Sequence, residues 1–367
     1  MKQKSKSWIG IAAAVALFLL GKLKWLVALL KLAKFASVLS IFVSLGAYAL
    51  VYGWKFAIAL VYLIFIHETG HLLAAKRKNI KTSKAIFLPF VGALIALKEE
   101  PKNAKDEAYL AYGGPLLGTV AFLPALPLFS VTNDPFWLLV ITLGSFLNLF
   151  NLAPIHPMDG GRIVGVISTK IWLAGIIGMI IYMFLNPNPV LFIFLLFGIS
   201  TWWKELRKKV RQNKRLIALE QYRFAIQQYD MYAASTEEER IRIHNLWQWE
   251  LRQTSQKLAN SQAWHFPFIG DKKRYEHELL ETKREVLSRL LFAGIHIYDD
   301  YGIKERGDFE KKIHEEESQL EKEENYYKAT NKTRIIWAIL YIALALFLIA
   351  CSMHYGELMT SYQDMLP

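Results

Sequence analysis

Ile64-Phe65-Ile66-His67-Glu68-Thr69-Gly70-His71 stands near the end of an apolar run that begins at Trp54 and reaches Ala75. A run of that length, almost free of charge until its end, reads as a helix able to cross a bilayer. His67 and His71 lie four residues apart, so they share one helical face and can share one metal ion. Glu68, one residue on, sits where it can take a proton from a metal-bound water. The bland alternative makes His67 and His71 packed helix histidines and Glu68 a salt-bridge acid. Ionisable groups at membrane depth are costly and by default functional, which favours the first reading.

The rest of the chain agrees with a membrane setting. Of 367 residues, 53% are hydrophobic, yet 21% are charged, and the mean hydropathy is +0.21. Residues 1–203 carry 18 Lys and Arg against 7 Asp and Glu, whereas residues 204–334 carry 26 against 23. This is the pattern of a membrane protein with a soluble insert. The net charge of +12 reads as membrane orientation, and no basic run interleaved with aromatics suggests nucleic acid as a partner. Cys351 is the one cysteine, which excludes a disulfide framework and a thiolate cluster, so any metal must be held by His, Asp or Glu. The start, Met1-Lys2-Gln3-Lys4-Ser5-Lys6 followed by an apolar stretch, resembles a signal peptide. No small-residue cleavage site follows, so it is read as retained.

Apolar windows predict spans at about 35–53, 54–75, 107–130, 136–153, 163–185, 190–203 and 335–353. Segment 8–34 reads either as a short span with an amphipathic helix or as a surface segment. Segment 85–97, with Pro89 and Gly92, is too short to cross as a helix and reads as a re-entrant hairpin. Lys76, Arg77, Lys78, Lys81 and Lys84 place the end of the span 54–75 in the cytoplasm, and the basic cluster from Lys204 to Arg215 places 204–334 there too. The fold expected is an all-α polytopic membrane protein with a short membrane-inserted hairpin and a mostly α-helical cytoplasmic domain. Residues 1–53 form N-terminal hydrophobic or amphipathic segments, 54–203 the transmembrane core, 204–334 the charged helical domain, and 335–367 a last transmembrane helix with a short tail.

A third metal ligand must come from elsewhere. The span 136–153 runs into Asn151-Leu152-Ala153-Pro154-Ile155-His156-Pro157-Met158-Asp159-Gly160-Gly161-Arg162. Pro154 and Pro157 break the helix, and Gly160 and Gly161 allow tight backbone after an acid. Asp159 is the candidate ligand, with His156 as the competitor and a helix-capping acid as the alternative role. Asn151 is a candidate catalytic residue, bonding a substrate backbone or an oxyanion, unless it is polar glue between helices. Asn148, one turn earlier, reads as structural, and Arg162 as meeting lipid phosphates. Gly114 and Gly118 form a small-xxx-small pair for close helix packing.

The chain resembles the site-2 proteases, the intramembrane zinc metalloproteases of peptidase family M50. The resemblance rests on His67-Glu68-Thr69-Gly70-His71, on Gly114-Pro115, and on Asn151-x-x-Pro154-x-x-Pro157-x-Asp159-Gly160, and it covers roughly residues 54–165. Met158 stands where the family often has Leu, a volume-conserving exchange. The resemblance implies one zinc ion (Zn2+) per chain held by His67, His71 and Asp159, with Glu68 activating water as in a zinc metalloendopeptidase. It also implies that 85–97 pairs with an extended substrate. The partners expected are the lipid bilayer and a transmembrane protein or peptide substrate, and the cytoplasmic domain is expected to bind an unidentified regulator. The compactness of the chain suggests a bacterial plasma membrane, with the site toward the cytoplasm. Two rivals differ in class. A catalytically silent membrane-protein binder of the same fold would not need Glu68 and all three ligands. A metal transporter would show repeats and polar groups strung along a path, whereas here they gather at one depth.

Overall fold

A computed structural model describes residues 36–83, 86–88, 92–94, 97–261, 266–297 and 300–364. The expectation for segment 8–34 lies outside the described residues. The chain divides into two compact units, residues 1–195 with 329–367, and residues 196–328.

The first unit is a helical body. Helix α1 (Ala36–Tyr52) packs on α2 (Trp54–Arg77) through Tyr48, Ala57 and Val61. Gly53, at φ 83°, makes the sharp joint between them, a backbone conformation that glycine adopts at no steric cost. Helix α2 ends on Lys76 and Arg77, cations suited to the negative end of a helix dipole. Helix α3 (Ala104–Phe122) starts where the Asn103 side chain accepts the Asp106 N–H at 2.9 Å. Helix α4 (Ala125–Thr132) follows a break at Leu123-Pro124. Helix α5 (Pro135–Asn151) is capped by Asp134, which accepts the Phe136 N–H at 2.9 Å, with Pro135 in the first turn.

Beyond the proline-broken loop come α6 (Asp159–Ile167), α7 (Ile171–Leu185) and α8 (Pro189–Leu206), the last of which runs from the first unit into the second after Leu195. The single span expected over 163–185 is therefore two helices. The reason is local: Ser168 is extended, and its hydroxyl accepts the Lys170 N–H at 3.3 Å, competing with the helical ladder.

The last helix closes this body. Helix α13 (Asn331–Asp364) packs on α5 and α6. The Tyr341 hydroxyl donates to the Leu152 carbonyl at 2.6 Å, and the Thr142 hydroxyl to the Tyr355 carbonyl at 3.3 Å. Trp337 meets Tyr112 edge-on at 5.8 Å, and Phe347 stacks on Phe122 at 6.4 Å. These pairings make α13 parallel to α3 and antiparallel to α5. Its start therefore lies level with the end of α5.

Strands β1 (Ile86–Leu88) and β2 (Gly92–Leu94) pair antiparallel, with Phe87 opposite Ala93. The ladder extends outward through Thr82 and Leu97, and the Lys98 N–H donates to the Lys81 carbonyl at 2.9 Å. Among the described residues, the two strands of the hairpin expected over 85–97 are thus paired. Among the described residues, Trp54–Arg77, Ala104–Thr132, Pro189–Leu206 and Asn331–Ser361 are long and apolar enough to cross a membrane. The fold is an all-α polytopic membrane protein.

The second unit holds α9 (Lys208–Ala234), α10 (Glu237–Ala259), α11 (Asp271–Ile295) and α12 (Asp300–Asn325). Its core gathers Tyr222, Trp247, Leu287, Leu290 and Phe309, with Tyr232 stacked on Trp247 at 5.0 Å. Thr236 and Glu239 form a reciprocal capping box at the start of α10. Ion pairs such as Arg215–Glu316 (2.6 Å) and Arg306–Asp230 (2.7 Å) tie the long helices together.

Candidate metal centre

Three helices deliver the site. The end of α2 supplies His67 and His71, the first residue of α6 supplies Asp159, and α3 forms the wall behind the imidazoles. Nε2 of His67 and Nε2 of His71 are each 3.2 Å from Oδ2 of Asp159, and 3.2 Å from one another. His67 and Asp159 are buried and His71 is half-buried.

The hydrogen bonds behind the rings decide what those atoms are. Nδ2 of Asn148 donates to the Gly144 carbonyl at 2.7 Å, so Oδ1 of the same amide faces Nδ1 of His67 at 2.8 Å and can only accept. Nδ1 of His71 lies 2.8 Å from the Leu110 carbonyl oxygen, another pure acceptor. Both rings therefore carry their proton on Nδ1 and turn a lone pair inward from Nε2. Two lone pairs and a carboxylate oxygen within 3.2 Å of one another form a group that could hold a metal ion. A tetrahedral zinc ion with bonds of about 2.0 Å spaces its ligand atoms roughly 3.3 Å apart, close to the triangle seen here. Two neutral imidazoles, one carboxylate and an open fourth position form the donor set of a catalytic zinc rather than a structural one. Zinc fits the residues present.

Close approach of α3 is what makes room. A Cβ on Gly114 would fall against Nε2 of His67 at 2.8 Å and closer still to the His71 ring. A Cβ on Gly118 would collide with the Asn148 amide. The small-residue pair thus lets the α3 backbone lie directly on the ligands and on their hydrogen-bond partner. At the other ligand, a Cβ on Gly160 would meet the Ala153 carbonyl oxygen at 2.5 Å and one on Gly161 the Ile155 oxygen at 2.6 Å. Both glycines let the proline-broken loop fold over the start of α6.

The other residues singled out in the sequence sort as follows. Glu68 is half-buried and follows His67 directly in α2. Asn151 is half-buried at the end of α5, and its amide nitrogen donates to Leu147 at 3.0 Å. His156 is not one of the three converging ligands. Its ring meets Trp172 edge-on at 4.7 Å, and its buried Nε2 has no hydrogen-bond partner among the described residues. Arg162, expected to meet lipid phosphates, instead pairs with Glu107 at 3.3 Å and bridges α6 to α3. Asn148, read from the sequence as structural, is the side chain that orients His67. Its signal was an amide in an apolar helix, an expensive placement unless it is bonded.

Residues 55–133 match the model of peptidase family M50. Two curated relatives are similar over the same share of the chain. The zinc metalloprotease MJ0392 of Methanocaldococcus jannaschii is 35% identical over 127 residues, which are 32% of this chain and 35% of the relative. Rip3 of Mycobacterium tuberculosis, whose name assigns it to the zinc metalloproteases, is 30% identical over 139 residues, 33% of this chain and 34% of its own length. The chain spans about a third of the length of the curated relatives it matches. The family match contains His67-Glu68-Thr69-Gly70-His71 and Gly114-Pro115 and ends before Asn151.

Proposed function

From that M50 match as premise, we propose that this chain is an intramembrane zinc metalloprotease of the site-2 type. It would hydrolyse a peptide bond in or near the transmembrane segment of a membrane-anchored substrate. The observation that carries this reading is the triangle of His67 Nε2, His71 Nε2 and Asp159 Oδ2, with Glu68 next to His67 in the same helix. His67, His71 and Asp159 would hold a zinc ion, which when bound would polarise the substrate carbonyl and acidify a water molecule. Glu68 accepts the proton of the attacking water and returns it to the departing amine. Asn151 steadies the substrate backbone or the developing oxyanion. Asn148 and the Leu110 carbonyl keep both imidazoles in the ligating tautomer. A transmembrane helix hides its peptide bonds in its own hydrogen bonds, so the substrate unwinds. An edge of the β1–β2 hairpin supplies replacement backbone partners.

The Lys and Arg bias supports a site toward the cytoplasmic side of the membrane in which the chain is embedded, read as a bacterial plasma membrane. Residues 204–334 are read as the cytoplasmic domain that binds a regulator.

The test is a zinc count per purified chain, followed by cleavage of a membrane-anchored substrate. One zinc is expected in the wild type, with loss in His71→Ala and Asp159→Ala. Glu68→Gln is expected to keep the zinc and lose turnover by about 10²–10⁴-fold. Zinc retained in Asp159→Ala would overturn the ligand assignment. Turnover surviving in Glu68→Gln would overturn its role as base.

A further inference from the structure

The second unit carries a loop whose geometry the protease reading does not use. Between α10 and α11, Phe266-Pro267-Phe268-Ile269-Gly270 forms a turn closed by the Gly270 N–H donating to the Phe266 carbonyl at 2.8 Å. Phe266, Phe268 and Ile269 are 62%, 59% and 85% exposed. Large apolar side chains exposed at one turn are costly in water, and Ile269 at its tip is the most exposed of them.

The loop is held in this shape from below. Phe268 has φ 68°, a left-handed conformation that a bulky residue adopts only under constraint. The constraint is visible. The buried Arg207 guanidinium forms a two-pronged bond to Asp271, with Nη1 donating to Oδ2 at 2.8 Å and Nη2 to Oδ1 at 2.6 Å. The same guanidinium lies over the Phe268 ring at 5.0 Å. Trp203 also meets that ring edge-on at 5.8 Å.

Trp203 identifies the partner. It sits in the last turn of α8, which is long and apolar enough to cross a membrane. A tryptophan at the end of such a helix lies at the level of the lipid headgroups. A loop in ring contact with it lies at that level too. Leu206 adds a further exposed apolar side chain. Lys204 and Lys209, near Trp203 in sequence, and Lys272 and Lys273, which follow the loop, are exposed cations. Apolar side chains accompanied by lysines fit an anionic lipid surface. We propose that Phe266, Phe268 and Ile269 insert into the headgroup–acyl boundary of the membrane that α8 crosses, pinning the second unit to the bilayer at a point distant in sequence from α8. This does not depend on the protease reading.

The experiment uses the full chain in vesicles of phosphatidylcholine with phosphatidylglycerol. An environment-sensitive dye is placed at Ile269→Cys and, as a water-exposed reference, at Glu315→Cys. Cys351 is buried, and the labelled parent chain serves as the blank. Lipids spin-labelled near the glycerol end of the acyl chain are expected to quench the Ile269 probe several-fold more than the Glu315 probe. Iodide is expected to quench it several-fold less. Equal iodide quenching at the two sites would overturn the proposal. Shielding from both quenchers would overturn it as well, because protein rather than lipid would then cover the loop. A Lys272→Glu, Lys273→Glu chain, with the probe at Ile269→Cys, provides a second test. Its lipid quenching is expected to fall toward the value seen in phosphatidylcholine alone, and an unchanged response to phosphatidylglycerol would remove lipid charge from the proposal.

Discussion

An imidazole ligates only through a nitrogen without a proton, so the atom that fixes a ligand is often the one behind it. At His67 that atom is Oδ1 of Asn148, 2.8 Å from Nδ1. Asn148→Ala removes the acceptor and leaves a buried N–H unpaired. Zinc affinity is expected to fall about 10–100-fold with the three ligands untouched, as read by competition with a chromogenic chelator. No change would mean that the packed helices alone set the ring. A second residue-scale device lies in the other unit. The hydrogen bond from Arg207 holds the Asp271 carboxyl below its usual range. A carboxyl depressed by folding stabilises the fold above the unfolded value of about 3.9, and that contribution is lost as the pH falls through its lower folded value. Asp271→Asn is therefore expected to be less stable than wild type at pH 7, with the gap closing in strongly acidic solution. Denaturant midpoints across pH measure this, and a gap independent of pH would contradict it.

At the scale of elements, the approach of α3 to α2 sets the depth of the metal site. Gly114→Ala is expected to keep the helices and lose the zinc, because the added Cβ occupies the space of the imidazole nitrogens. Unchanged far-ultraviolet circular dichroism with a zinc content near zero would show this, and full zinc content would refute it. Much of this arrangement was legible beforehand. His67 and His71 declare themselves by spacing within an apolar run, and Asp159 by a proline-broken loop ending in Asp-Gly-Gly. The hairpin over 85–97 was legible too, because a short apolar segment with Pro89 and Gly92 has few other options. What stayed hidden was long-range or local in the wrong way. The carbonyl of Leu110 bears no mark of its role in the sequence. Glu107 as the partner of Arg162 is 55 residues away. The break at 168–170 depends on one serine hydroxyl competing with the backbone, which a hydropathy window averages away.

At the scale of the whole molecule, the first unit is assembled from two separated stretches of chain, and α13 belongs with α5 and α6 although residues 196–328 intervene. No periodicity or charge pattern announces that partnership. Tyr341→Phe deletes the bond to the Leu152 carbonyl beside the proline-broken loop and is expected to cost about 0.5–1.5 kcal/mol, read as a lowered unfolding midpoint in detergent. A midpoint equal to wild type would show that the hydroxyl is dispensable. The separation also has a consequence in time. Leu152 and Tyr341 are 189 residues apart, and at about 5–20 residues per second a ribosome needs roughly 10–40 s to travel from one to the other. For most of that interval every newly made chain holds both histidines and the aspartate while the helix that backs their loop does not yet exist. Completion of this body is thus clocked by translation, and a stalled ribosome leaves behind a chain with its ligands in place and its last wall missing.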